Sequence, residues 1–255
     1  MTLFFPHRDI MVTETNPPDN ASNTTGGMQM VYVMSDIHGE YDKYRRMLEK
    51  IRFSDDDIMY ILGDVVDRGP DPAKILLDMM NRPNVVPLIG NHEAMAYPVL
   101  EKLADKEFDF NKIDKDTMDA MRDWIDEGGW ATIESFRELP IETCRDILDY
   151  MNYFFALIQD VEVNGRTFTL VHAGLGSRKR RIVRKHDLIW SRPNPHIRYI
   201  KEKNSYLVCG HTPTCIFGAN NRIYRCRNNI FIDCAAVFGG RLGCLCLDNF
   251  KEYYV

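Results

Sequence analysis

Apolar and polar positions switch between two periods along the chain. Residues 29–34 (Gln-Met-Val-Tyr-Val-Met) are a short apolar run, β-branched in part, which predicts a buried strand. Within 40–52, Tyr41, Tyr44, Leu48 and Ile51 recur every three or four residues, the spacing of a helix with one apolar face. Ile58 to Leu62 predicts a second buried strand. Ala73 to Met80 predicts a second helix, bounded by Pro70 and Pro72 before it and Pro83 after it. Val85 to Ile89 predicts a third strand. Strands alternating with helices imply βαβ units and a parallel sheet. From about 92 to 152 the pattern is helical and charged, with a break expected at Gly128-Gly129. Strands dominate afterwards, at 154–163, 167–172, 205–209, 222–225, 230–234 and 242–248. Asn164-Gly165, between the first two of these, is a hairpin-turn signal. The expected architecture is an α/β domain with a helical insertion over about 94–152 and a β-rich second half.

Composition narrows the class. A chain of 255 residues, 45% apolar and 27% charged, buries a core without help from disulfides or metal, which excludes fibres and small disulfide scaffolds. Seven cysteines, an odd number without framework spacing, fit reduced thiols and a cytoplasmic location. No run approaches the ~18 apolar residues of a membrane span. Residues 13–27 are polar and rich in Pro, Asn, Thr and Gly, so 1–27 reads as a flexible tail and 28–255 as the folded domain. Met28 opens the first structured segment and stands beside Met1 as a candidate start. A net charge of −5 argues against non-specific nucleic-acid binding. The average hides polarity, however. Segment 101–127 carries ten acidic and five basic residues, whereas 178–185 carries six basic residues in eight. The basic stretch reads either as a solvated loop or as a recruiter of acidic phosphosubstrates.

Polar residues appear where apolar strands end. The first strand delivers Ser35-Asp36-Ile37-His38-Gly39, the second Gly63-Asp64-Val65-Val66-Asp67-Arg68-Gly69, and the third Gly90-Asn91-His92-Glu93. Carboxyl ends of parallel strands are where α/β proteins bind ligands. Asp36 and His38, two apart, share a face in extended chain. An Asp/His pair beside a second Asp is a ligand set for Mn, Fe or Zn. Later strands end in His172 and His211, each next to glycine-containing turns. A single histidine at such a place is more often structural; four, with Asp36, Asp64 and Asn91, point jointly to a metal site. No Cys-(x)5-Arg phosphatase loop and no phosphate-binding G-x-x-x-x-G-K-[ST] loop occurs. Cys244 and Cys246, alternating on one strand, read as buried thiols in preference to a zinc site.

The ordered blocks DxH, GDxxDRG, GNHE, VHAG and GHTP, with Trp190-Ser191-Arg192 and the run from Ile232 to Gly239, resemble the PPP-type, calcineurin-like metallophosphatases. Their bacterial and phage serine/threonine protein phosphatases give the nearest resemblance, which covers roughly residues 30–248. It implies an α+β sandwich, a central β-sandwich flanked by helices. It also implies two divalent ions, Mn²⁺ first, with Fe or Zn fitting the same ligands. Asp36 and His38 would serve one ion, Asp64 both, and Asn91, His172 and His211 the second, with a shared hydroxide attacking phosphorus in line. The resemblance further assigns His92 as general acid oriented by Asp67, and Arg68 and Arg192 as the phosphate clamp. Phosphorylated proteins are the implied substrates. A dinucleoside tetraphosphate hydrolase or a phosphatase of nucleotides or nucleic-acid ends is the alternative within the fold. An inactive binding module is the alternative outside catalysis, although every expected ligand, acid and clamp position is occupied. Glu93 is left without a catalytic role, and the insertion is expected to pack onto the body, its Glu127-Gly128-Gly129-Trp130 turn being a possible lid.

Overall fold

A computed structural model describes residues 29–105, 107–177 and 183–255. The expected tail 1–27, the start at Met28 and residues 178–182 of the basic stretch lie outside the described residues. Ten strands are found among the described residues: β1 (Val31–Met34), β2 (Ile58–Ile61), β3 (Val85–Pro87), β4 (Leu157–Val163), β5 (Arg166–Val171), β6 (Ser205–Cys209), β7 (Tyr224–Cys226), β8 (Asn229–Phe231), β9 (Gly243–Cys246) and β10 (Glu252–Tyr254). The helices are α1 (Tyr41–Ile51), α2 (Pro72–Met80), α3 (Asn91–Leu103), α4 (Lys115–Trp124), α5 (Trp130–Arg137), α6 (Ile141–Met151) and α7 (Lys185–Trp190). None is long and apolar enough to cross a membrane.

The strands form two five-stranded sheets, ordered β10-β9-β1-β2-β3 and β4-β5-β6-β8-β7. Period-two alternation sorts each strand between two cores. Val33, Tyr60, Leu62 and Leu245 meet Ile158, Phe168, Leu170, Val208 and Ile230 in the cluster between the sheets. Tyr32, Met34, Met59 and Ile61 turn the other way, into the cluster containing Tyr44, Met47, Leu76 and Leu148 of the helices. The outer face of the second sheet packs Leu157, Leu207 and Phe231 with Leu188 and Ile189 of α7. Both faces of the central strands are therefore buried, which explains their uninterrupted apolar sequence.

The hairpin signal at Asn164-Gly165 is borne out. Val163 pairs with Arg166 across a two-residue turn, and both turn residues are left-handed, at φ 50° and 72°. The break expected at Gly128-Gly129 is not a chain reversal. α4 runs into α5 through a π-helical turn, Ile125–Gly129, in which only Gly128 (φ 105°) leaves helical geometry. The expectations miss α7 and β10, elements of six and three residues.

One side chain joins the loops that end β2 and β3. Glu93, in the first turn of α3, is 1% exposed. Its Oε2 accepts from the backbone N–H groups of Asp64 and Gly90, both at 2.8 Å. Its Oε1 accepts from Val65 at 2.7 Å and Val66 at 3.1 Å. Burial and the Asp64 charge push this carboxyl up, against the pull of the same N–H bonds. Glu93→Gln turns one acceptor oxygen into an NH₂ group facing N–H donors. Unfolding in urea is expected to show a loss of about 1–3 kcal/mol; unchanged stability would show that the four bonds do not organise the loop.

Candidate metal and phosphate site

Each sheet contributes three parallel strands whose carboxyl ends meet at one cavity. β1, β2 and β3 are parallel in the first sheet, and β5, β6 and β8 in the second. Asp36 and His38 follow β1; Asp64, Asp67 and Arg68 follow β2; Asn91 and His92 begin α3 just after β3. His172 follows β5, His211 follows β6 and Asp233 follows β8. The backbone at these ends is tightly wound. Asp36, His38, Asp64, Asp67, Arg68 and His211 all have left-handed φ, between 47° and 73°. Non-glycine residues accept that conformation at a cost of about 1–3 kcal/mol, and such strain gathers at functional sites. Gly90 and Gly210 permit the close approach. A Cβ on the first would collide with the Asp64 carboxylate, and on the second with Ser35 and the Asp36 carboxylate.

The ligand candidates converge on Asp64. His38 Nδ1 bonds the Val66 carbonyl at 2.9 Å, and His172 Nδ1 the Leu62 carbonyl at 2.6 Å. With Nδ1 held on a carbonyl, each ring turns Nε2 into the site, the orientation that metal-ligating histidines take. His38 Nε2 lies 3.7 Å and His172 Nε2 3.4 Å from Asp64 Oδ2. His172 Nε2 is also 3.0 Å from Asn91 Oδ1 and 3.3 Å from His211 Nδ1. Asp36 lies across from these, both carboxylate oxygens 3.0 Å from the backbone N–H of His211. Two triples, His38-Asp64-His92 and Asp64-His172-His211, bring ligand atoms within 4.8 Å of one another. Carboxylate, amide and imidazole ligand atoms gathered this closely suit divalent cations, so the residues present fit the implied metal.

Charge at the site is crowded. Burial pushes His38 down to about 3. Burial and the neighbouring His172 push His211 to about 3 as well. Burial also acts to lower His172, but the Asp64 carboxylate outweighs it and carries the imidazole to about 10. Asp64 itself is held well below the carboxylate range, because the surrounding histidines overcome its desolvation. Asp36 is raised by burial and by Asp233, and Asp233 rises to about 6, chiefly through burial.

All ten residues singled out from the sequence are gathered here. Asp36, His38, Asp64, Arg68, Asn91, His92, Arg192 and His211 line a cavity of about 260 Å³. His172 stands against Asp64, and Asp67 stands behind His92, accepting from its Nδ1 at 2.6 Å. His92 is raised overall: burial lowers it, while the Asp64 charge and the Asp67 hydrogen bond raise it by more. Arg68 Nη1 lies 2.7 Å from His38 Nε2, and its guanidinium sits 5.1 Å over the Phe238 ring. Arg192 is exposed at the cavity.

Several contributors were not legible beforehand. Asp233 lines the cavity as a further carboxylate, although it falls in a block already noted. Glu127 reaches Arg68 Nη2 at 3.4 Å, and the Gly128 carbonyl accepts from Arg68 N at 3.0 Å. Trp124 and Thr132, in the insertion expected to pack onto the body, both hydrogen-bond Asp67. Cys209, Cys234, Cys244 and Cys246 are buried free thiols; burial pushes Cys209 and Cys244 up, and Cys234 to about 12, which opposes thiolate chemistry.

Comparisons with known proteins place the chain by family and fold. The calcineurin-like phosphoesterase model matches residues 30–215. A symmetrical bis(5'-nucleosyl)-tetraphosphatase of Wigglesworthia glossinidia brevipalpis is 36% identical over 81 residues, a segment spanning 30% of this chain and 30% of that relative. Serine/threonine-protein phosphatase 1 of Salmonella typhimurium is 26% identical over 223 residues, 83% of this chain and 89% of that one. A protein serine/threonine phosphatase structure from Saccharomyces cerevisiae superposes with a TM-score of 0.54 at 11% identity, covering 87% of this chain and 73% of that chain, a likeness of fold. From the match over residues 30–215 and the arrangement of strand ends, the chain belongs to the calcineurin-like phosphoesterase family.

Proposed function

We propose that residues 28–255 form a metal-dependent phosphomonoesterase that removes phosphate from serine and threonine in proteins. The convergence of His38, His172 and His211 on Asp64, at a cavity that Arg68, Arg192 and His92 also line, carries this reading. Asp36, His38, Asp64, Asn91, His172 and His211 would hold two divalent ions, Mn²⁺ first among them. When bound, such ions act as Lewis acids toward the phosphoryl oxygens and lower the pKa of water.

The chain's own groups supply the rest. Arg68 and Arg192 grip the phosphoryl oxygens, and a guanidinium fork offsets the charge that gathers on them in the transition state. His92 keeps Nδ1–H on Asp67, which leaves the other ring nitrogen to deliver a proton to the departing seryl or threonyl oxygen. Its raised pKa favours the protonated form this step needs. The high coverage of the Salmonella phosphatase supports a phosphoprotein substrate. The tetraphosphatase relatives favour a second reading, hydrolysis of dinucleoside tetraphosphates.

A side-by-side panel with Mn²⁺ decides between them: phosphoserine and phosphothreonine peptides, a dinucleoside tetraphosphate and a cyclic nucleotide. The phosphopeptides are expected to give the highest kcat/KM; a preference for the tetraphosphate would overturn the proposed substrate. Stripping metal with a chelator is expected to abolish turnover and Mn²⁺ to restore it, whereas full activity in the stripped protein would contradict the metal assignment. His92→Asn is expected to lower kcat on phosphoserine peptide by about 10²–10⁴-fold, with metal content by elemental analysis near that of the parent.

A further inference from the structure

The helical insertion meets the site at Arg68 and, more deeply, at the buried Asp67 carboxylate. Asp67 is 0% exposed, as are Trp124 and Thr132. A carboxylate so deep needs hydrogen-bond donors to offset lost hydration. His92 Nδ1 and Trp124 Nε1 donate to the same oxygen, Oδ2, at 2.6 and 2.8 Å. Thr132 Oγ1 donates to Oδ1 at 2.6 Å and accepts from the Asp67 backbone N–H at 2.9 Å. The insertion therefore fixes both carboxylate oxygens and the main chain of the residue that orients His92.

The surrounding chain is shaped to this contact. Gly129 lies so close to the Trp124 indole that a Cβ there would collide with the ring. The preceding carbonyl, Gly128, accepts from Arg68 N at 3.0 Å. The turn between α4 and α5 is thus moulded around Trp124 on one side and the Asp67-Arg68 segment on the other. Without Trp124 and Thr132 the Asp67 carboxylate would keep one side-chain donor, His92, and the terminal torsion of aspartate is broad. The imidazole would then follow a wandering partner, and small misplacement of a reacting group costs rate steeply.

We propose that Trp124 and Thr132 are positioning residues for proton delivery by His92, holding Asp67 in the one rotamer that keeps the imidazole aimed into the cavity. This rests on His92 being the general acid, and the test separates the two claims.

Trp124→Phe removes the N–H and keeps most of the ring, and Thr132→Val removes the hydroxyl at nearly constant shape. Each is compared with His92→Asn on a phosphoserine peptide and on p-nitrophenyl phosphate, whose leaving oxygen needs little protonation. For Trp124→Phe and Thr132→Val, kcat on the peptide is expected to fall about tenfold or more and on the aryl ester by less than about threefold, with KM for both unchanged. Thr132→Ser, which keeps the hydroxyl, is expected to retain the parent ratio of the two rates. Should Trp124→Phe fail to fold, Thr132→Val carries the comparison alone. A readout independent of turnover is the His92 Nδ1–H resonance in the ¹H–¹⁵N spectrum, expected to exchange faster with water in Thr132→Val. Equal losses on both substrates, no loss on either, or an unchanged His92 resonance would overturn the positioning role when His92→Asn remains selective for the peptide. Equal losses on both substrates in His92→Asn would overturn the general-acid reading itself, and the positioning role with it.

Discussion

The Glu93 carboxylate, with four backbone N–H groups on its two oxygens, is the constraint from which the rest of the site follows. It ties the loop after β2 to the start of α3, and those segments carry Asp64, Asp67, Arg68, Asn91 and His92. Left-handed backbone at Asp64, Asp67 and Arg68 is unfavourable by itself and persists because bonds of this kind over-determine it. The loop after β1 is then laid on the β2 loop by backbone bonds from Asp36, His38 and Gly39 to Gly63, Asp64 and Val65. Glu93 touches no reacting group, yet the position of Asp64 between its histidines descends from it.

The second sheet closes on this frame through side chains. His172 Nδ1 reaches the Leu62 carbonyl, and the His211 backbone N–H reaches the Asp36 carboxylate. The two sheets are therefore locked together at these polar side chains as well as through the apolar layer between them. The result is a buried cluster of carboxylates and imidazoles, bordered by Arg68 and Arg192. Such a cluster is unfavourable in a low-dielectric interior unless cations enter it, which unites its cost and its use. The helical insertion adds a further layer behind His92, where Trp124 and Thr132 meet Asp67.

Much of this was legible in the sequence, for a reason specific to parallel sheets. Candidate ligand residues sit one to a few positions after a strand, so Asp36, Asp64, Asn91, His172 and His211 announce themselves by following apolar runs. What stayed hidden depends on contacts remote in sequence. Trp124 and Asp67 are 57 residues apart, and Trp124 sits in a helix whose apolar face had an ordinary packing explanation. Glu93 was left without a role because three of its four partners are backbone groups of another loop, to which no side-chain pattern points. Gly128-Gly129 looked like a break because glycine pairs usually end helices, whereas here one glycine makes room for an indole. The assignment of each strand face to its core was also invisible, since both faces are apolar.

The most direct test of the central claim, that these strand ends form a divalent-metal site organised on Asp64, is a crystal structure grown with Mn²⁺ and measured at its absorption edge. Anomalous peaks are expected beside the Asp64 carboxylate, one toward His38 and Asp36 and one toward His172, His211 and Asn91. Ions found only elsewhere, or an Asp64 carboxylate touching no ion at saturating Mn²⁺, would contradict it.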